Sequence, residues 1–168
     1  MKKIRVILIA ALCYVPAGLA QARMLGTHGD WLVYNDDENG NLTCVMSTEP
    51  KKSAGKYKKR GPIYAVISHR PAEKLFYEFS FQAGYTFKKD SNVSVVIDKT
   101  NKFSLFTRGG HAWATDSEGD KNLAKAMRRG NKMVVRGVSS RGTKTTDTFS
   151  LKGFTAAIKF INKACKVK

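Results

Sequence analysis

The chain has 168 residues, with 30 Lys and Arg against 13 Asp and Glu, a formal net charge of +17 at neutral pH, and three cysteines. This length fits one domain with a sizeable core. The charge favours anionic partners, such as phospholipid headgroups, lipopolysaccharide, acidic glycans or nucleic acid. Charged residues interrupt every apolar run after the N-terminus, which excludes a later membrane span.

The N-terminus has the three parts of an export signal. Lys2, Lys3 and Arg5 form a positive start, Val6–Val15 is an apolar run of ten residues, and Ala20-Gln21-Ala22 offers small residues for cleavage. A transmembrane anchor needs roughly 20 apolar residues, about twice this run. We therefore expect cleavage of residues 1–22, with Ala20 as the second choice of cleavage position. The product is then a single domain over residues 23–168 that is periplasmic, secreted or on the cell surface.

After this segment, short strands are predicted in sequence. Trp31–Tyr34 and Leu42–Thr48 flank a polar segment with Asn39-Gly40, which indicates a hairpin. In Leu75–Gln82, apolar and polar residues alternate as in a half-buried strand. The same reasoning predicts strands at Ile63–Arg70, Val93–Asp98, Phe103–Arg108, Ala112–Ala114, Met133–Ser139 and Thr145–Leu151.

Two helices follow from periodicity and capping residues. The first is predicted over Asp120–Arg129, with Asp120 as N-cap, apolar residues Leu123, Ala126 and Met127 at helical spacing, and Gly130 at its end. The second is predicted over Phe154–Lys166, with one apolar stripe and lysines on the other face. Many short strands with these two helices predict an all-β antiparallel sandwich or barrel with added helices.

The cysteines predict a disulfide. Cys13 lies in the export signal, which leaves Cys44 and Cys165. An even pair in an exported protein is typical of a disulfide, although two buried free thiols are the alternative. The apolar stripe of the second helix includes Cys165, so its side chain is expected to face the core, where the strand residue Cys44 can meet it.

The C-terminal third resembles the invasion-associated locus B family of exported alphaproteobacterial proteins. The resemblance rests on Asn122–Gly130, the stretch from Ser140 to Ala157 and the closing Cys165, with Gly29-Asp30-Trp31 and Cys44 near the start. It implies an immunoglobulin-like antiparallel β-sandwich with a terminal helix, and a periplasmic or surface location. It also implies an association with host-cell invasion in pathogenic members, but no reaction.

A Lys-rich segment, Lys51–Gly61, is predicted to be a surface loop and to contact an anionic partner. Arg141 and Lys144 flank a Gly-Thr turn and are expected to extend the same basic rim. The alternative is a mobile, solvated loop without a ligand. The predicted anion-binding residues are Lys51, Lys52, Lys56, Lys58, Lys59, Arg60, Arg141 and Lys144.

No pattern in the sequence predicts an enzyme, a cofactor or a metal site. The histidines His28, His69 and His111 are scattered, and the acidic turn around Asp37 lacks the spacing of a calcium loop. Ser53-Ala54-Gly55-Lys56 matches Ser-x-x-Lys without the partner motifs of that enzyme class. We therefore expect a non-enzymatic envelope protein of the locus B type that binds an anionic envelope or host-surface component. The alternatives are a periplasmic nucleic-acid or acidic-glycan binder, a purely structural envelope protein, and a hydrolase whose site escapes sequence patterns.

Overall fold

A computed structural model describes residues 22–38 and 40–167, and within these residues it contains eleven strands, two α-helices and one short 3-10 helix, Pro71–Glu73. The predicted export signal, except for Ala22, lies outside the described residues. The strands are β1 (Arg23–His28), β2 (Trp31–Glu38), β3 (Asn41–Thr48), β4 (Lys52–Gly55), β5 (Tyr64–Arg70), β6 (Leu75–Gln82), β7 (Asn92–Ile97), β8 (Asn101–Arg108), β9 (His111–Trp113), β10 (Lys132–Val138) and β11 (Lys144–Ser150), and the helices are α1 (Ser117–Arg129) and α2 (Phe154–Ala164).

The strands form an antiparallel sheet that folds over on itself. Their order is β1-β2-β3-β5-β6-β9-β8-β7-β10-β11-β4. Phe81 on β6 and Phe149 on β11 meet edge to face with ring centroids 6.1 Å apart, although β9, β8, β7 and β10 lie between their strands in the sheet. The two halves of the sheet therefore face each other across one core, as in a β-sandwich. The predicted fold class, an antiparallel β-sandwich with a mid-chain and a C-terminal helix, is confirmed.

Every predicted strand is present, and β1 and β4 are additional. The pairing of β2 with β3 confirms the hairpin, and Gly40 has the positive φ of 82° that its turn requires. The start of α1 was predicted wrongly, because the N-cap is Asp116, whose carboxylate accepts a 2.7 Å hydrogen bond from the Gly119 amide. Asp120 instead turns inward and accepts a 2.9 Å hydrogen bond from the amide of Phe79.

Helix α2 covers the first half of the sheet. Phe154, Ala157, Ile158 and Ile161 are fully buried, and the ring of Phe154 meets Trp31 edge to face at 5.0 Å. Each large apolar side chain buried in this way contributes about 1.5–3 kcal/mol. Among the described residues, neither helix has the length and apolar character of a membrane span.

The disulfide between Cys44 and Cys165 joins the end of α2 to β3, as predicted. The two Cα atoms are 6.0 Å apart and both residues are buried. The bond links positions 121 residues apart, so it connects the start and the end of the domain. It therefore fixes α2 on the sheet covalently as well as by apolar packing.

Candidate anion-binding surface

The Lys-rich segment is attached to the sandwich and does not form a free loop. Residues Lys52–Gly55 form β4, which pairs with the edge of β11, so that Ala54 lies opposite Thr146. The amide of Lys51 donates a 2.7 Å hydrogen bond to the carbonyl of Thr148. The prediction of a loop is therefore wrong for these four residues, because the exposed edge of β11 supplies hydrogen-bond partners that local sequence does not reveal.

Arg60, at the end of this segment, is buried in a bidentate ion pair. Its Nη1 and Nη2 atoms each lie 2.7 Å from an oxygen of Asp147, and its Nε donates a 2.6 Å hydrogen bond to the carbonyl of Ala83. The guanidinium also lies over the rings of Tyr57 and Tyr85, 5.5 and 4.9 Å from their centroids. The side chains of Arg60 and Asp147 are 4% and 1% exposed.

The electrostatics of this pair favour its charged form. Burial opposes the charge of Arg60, but the hydrogen bonds and the attraction of Asp147 outweigh that cost, so the pKa of the guanidinium is raised. Because its side chain is buried and turned towards Asp147 and Ala83, Arg60 does not face an external anion. Arg60 is therefore removed from the predicted anion-binding residues. Its role is structural, because it fixes the Lys-rich segment to β11.

Lys51 is exposed but has an internal partner. Its Nζ lies 2.6 Å from a carboxylate oxygen of Asp30, in the turn between β1 and β2. The hydrogen bond from Lys51, assisted by one from Ser150, lowers the pKa of Asp30. Lys51 is therefore a weaker candidate for an external anion than the remaining lysines of the segment, which are exposed: Lys52, Lys56, Lys58 and Lys59.

The pairing of β4 with β11 brings a second group of predicted cations beside this segment. Thr145 lies opposite Gly55, so that Lys144 and Lys56 are the residues next to the last pair of this ladder. Arg141 lies in the turn between β10 and β11, at the end of β11 where Lys144 begins the strand. Both residues are exposed. The basic rim predicted from two distant parts of the sequence is therefore assembled by one pair of strands.

Further cations, which the predicted basic rim does not include, lie on the adjoining strands. Arg136 on β10 lies opposite Thr146 of β11 and Ser94 of β7, so its side chain shares their outer face. Lys132 and Lys102 are also exposed at outward positions of β10 and β8. The alternation of these residues with buried Met133, Val135 and Leu105 is the signal that could have identified them.

We call this surface the basic face. Among the residues of β4, β7, β8, β10 and β11, the acid Asp147 points inward and the outward positions carry no carboxylate. Within the described part of the chain, no ion pair involves its cations. The basic face consists of Lys52, Lys102, Lys132, Arg136 and Lys144 on the strands, Arg141 in the adjoining turn, and the exposed Lys56, Lys58 and Lys59 in the segment that follows β4.

The one fully buried histidine of the described core, His69, has a structural environment. Its Nδ1 accepts a 3.0 Å hydrogen bond from the amide of Tyr77, so the proton is on Nε2, which lies 2.9 Å from Oδ1 of Asn162. Burial lowers the pKa of His69, against the opposing effect of Asn162. Among residues 22–38 and 40–167, no group of three His, Cys, Asp or Glu side chains is arranged to hold a metal ion.

Comparison with known proteins identifies similarity in sequence and in fold. A sequence model described as invasion associated locus B (IalB) protein matches residues 31–162. No curated protein matches the chain in sequence. Among solved structures, the crystal structure of invasion associated protein B from Bartonella henselae is similar, with a TM-score of 0.60 and 14% identity over 89% of this chain and 98% of that one. At this identity, the likeness concerns the fold alone.

Proposed function

Because the chain belongs to the invasion associated locus B family, we propose that it is a non-enzymatic exported envelope protein that binds an anionic partner through the basic face. The partner is a component of the cell envelope or of a host surface, and its chemistry is that of a phospholipid headgroup, lipopolysaccharide or an acidic glycan. The observation that carries this proposal is a broad outer sheet surface with cations at several positions and no outward carboxylate on its strands.

The energetics of such a surface support binding by many weak contacts. Each Lys or Arg near an anionic membrane surface contributes about 1 kcal/mol, and this contribution decays within a Debye length of about 8 Å at physiological salt. The strand cations extend from backbone positions of fixed spacing, which reduces the backbone conformational entropy lost on binding. Attachment of the Lys-rich segment through β4 and Arg60 therefore favours simultaneous contact of several lysines with one charged surface.

Export is supported by two features of the chain. The N-terminal pattern of residues 1–22 is that of a cleaved signal. The disulfide is of the kind that forms and persists in oxidising compartments such as the periplasm. Cell fractionation followed by mass measurement tests this part of the proposal: we expect an envelope or secreted product that begins at Arg23. A cytosolic product with an intact N-terminus would contradict export.

Capture from an envelope extract tests the binding activity. The bait is the oxidised protein from Arg23 to Lys168, compared at low and high salt with a variant in which Lys56, Lys58, Lys59 and Lys144 are replaced by Gln. We expect salt-sensitive capture of one lipid or glycan component that is lost in the variant. Capture that high salt does not weaken would contradict an electrostatic site. Loss of the captured material on nuclease treatment would favour the nucleic-acid alternative.

A further inference from the structure

A groove opens between β6, the β8–β9 hairpin and the start of α1. None of the residues that line it belongs to the basic face. The volume of the groove is about 360 Å³, within the range of about 300–1,000 Å³ that is usual for small-molecule sites. Aromatic and aliphatic side chains form one part of the lining, and three carboxylates form another. This combination of a mostly apolar cleft with a few polar groups is typical of ligand sites in proteins.

The aromatic wall consists of stacked rings that are partly open to solvent. Phe106 and Trp113 lie directly opposite each other on β8 and β9, with ring centroids 5.7 Å apart and planes inclined by 29°. His111, two residues before Trp113 on β9, also stacks with Trp113, with ring centroids 5.6 Å apart. Phe106 is 44% exposed and Leu75 on β6 is 37% exposed, whereas the core tryptophan, Trp31, is fully buried. The ring of Phe106 therefore presents exposed aromatic surface at this stack that does not belong to the core.

The carboxylates of the groove each have one oxygen occupied. Arg70 donates to Oε2 of Glu78 at 2.7 Å, the Gly119 amide donates to Oδ1 of Asp116, and the Phe79 amide donates to Oδ1 of Asp120. Within the described residues, the second oxygen of each carboxylate accepts no hydrogen bond of this kind. Burial of Asp120, together with the charges of Glu78 and Asp116, raises the pKa of its carboxyl to about 6. The groove therefore offers several unused acceptors beside the exposed ring of Phe106.

We propose that this groove binds a neutral sugar ring of a glycan. A sugar presents a face of C–H groups, which pack on the negative face of an aromatic ring, and a rim of hydroxyl donors, which match carboxylate acceptors. A wholly apolar ligand would bury these carboxylates without partners, which is costly. A phosphate or nucleic-acid backbone would be repelled by Glu78, Asp116 and Asp120, although Lys74 and Arg108 also line the groove. This inference concerns a second surface and does not depend on the basic face.

Tryptophan fluorescence tests the proposal directly, because the chain has two tryptophans and Trp31 is fully buried. Triacetylchitotriose, maltotriose and cellotriose are the neutral probes. We expect at least one of them to change the emission of Trp113 with a dissociation constant of about 1 mM, which is at the weak end of specific binding. Since these sugars are uncharged, binding is expected to persist at high salt, which separates this site from the basic face.

Variants connect the signal to the groove. Phe106→Ala is expected to weaken sugar binding about tenfold, as the loss of one stacking ring does elsewhere. Leu75→Ala provides a second test at an exposed position if Phe106→Ala folds poorly. Phe160→Ala is the matched control, because Phe160 is a 38% exposed aromatic residue on α2 and does not line the groove. Equal affinity in both groove variants and the wild type, or no response to any probe at about 10 mM, would overturn the proposal.

Discussion

Arg60 and Asp147 form a buried bidentate ion pair, with both N···O distances at 2.7 Å, between residues 87 positions apart in the sequence. The pair connects the end of the Lys-rich segment to β11, the strand with which β4 also pairs. One cation of this segment therefore has a structural role inside the protein. The neighbouring Lys56, Lys58 and Lys59 remain exposed on its surface.

Removal of one partner of this pair is predicted to destabilise the fold. Arg60→Met leaves the carboxylate of Asp147 buried without its counter-ion, and we expect the free energy of unfolding to fall by about 3–5 kcal/mol. Urea denaturation measures this change. Arg141→Met is the control, because it removes an exposed cation at a turn and is expected to change stability by less than about 0.5 kcal/mol. Equal stability of the two variants would contradict the structural role of Arg60.

Reduction of the disulfide is predicted to weaken the domain. Cys44 and Cys165 close a separation of 121 residues, and the chain-entropy model assigns about 4–5 kcal/mol to such a closure. Urea denaturation of the protein from Arg23 onward, with and without reductant, is expected to show this loss. Two titratable thiols in protein prepared under oxidising conditions would show that the bond does not form.

Asp120 is predicted to make stability fall as pH rises through the acidic range. Its pKa is raised from 3.8 to about 6 in the folded state, so between these values the folded chain binds more protons than the unfolded chain, and the free energy of unfolding decreases with pH. Asp120→Asn keeps an acceptor for the Phe79 amide and removes this loss. We expect the variant to be about 1–3 kcal/mol more stable at neutral pH. Parallel stability profiles of variant and wild type against pH would contradict this assignment.

His69 is predicted to act in the opposite direction. Burial lowers its pKa below 6.5, so the unfolded chain takes up a proton before the folded chain does as pH falls. Stability from this residue is therefore present above pH 6.5 and is lost as pH falls towards the folded-state pKa. Titration of the His69 ring by NMR is expected to show a neutral imidazole just below pH 6.5. A ring that is already charged at that pH would contradict the buried hydrogen-bond arrangement with Tyr77 and Asn162.

The strands of the sandwich were predictable because apolar and polar residues alternate along them. Strands β1 and β4 were not predicted; for β4, Lys52–Gly55 has no such alternation and its conformation depends on the distant edge of β11. For the same reason, charge patterning grouped Arg60 with the lysines, although its partner lies in another part of the sequence. Asp147 carried a usable signal: it shares an inward face with Phe149, and an acid in that position requires a buried cation.

The most direct test of the basic face compares two variants of equal net charge in sedimentation with vesicles that contain anionic phospholipid. One replaces Lys56, Lys58, Lys59 and Lys144 by Gln, and the control replaces four exposed lysines of α1 and α2, namely Lys121, Lys125, Lys159 and Lys163. We predict that the basic-face variant loses at least about tenfold in affinity at low salt, since each cation contributes about 1 kcal/mol, while the control stays close to the wild type. Equal losses in both variants, or binding that salt does not weaken, would contradict a localised anion-binding surface.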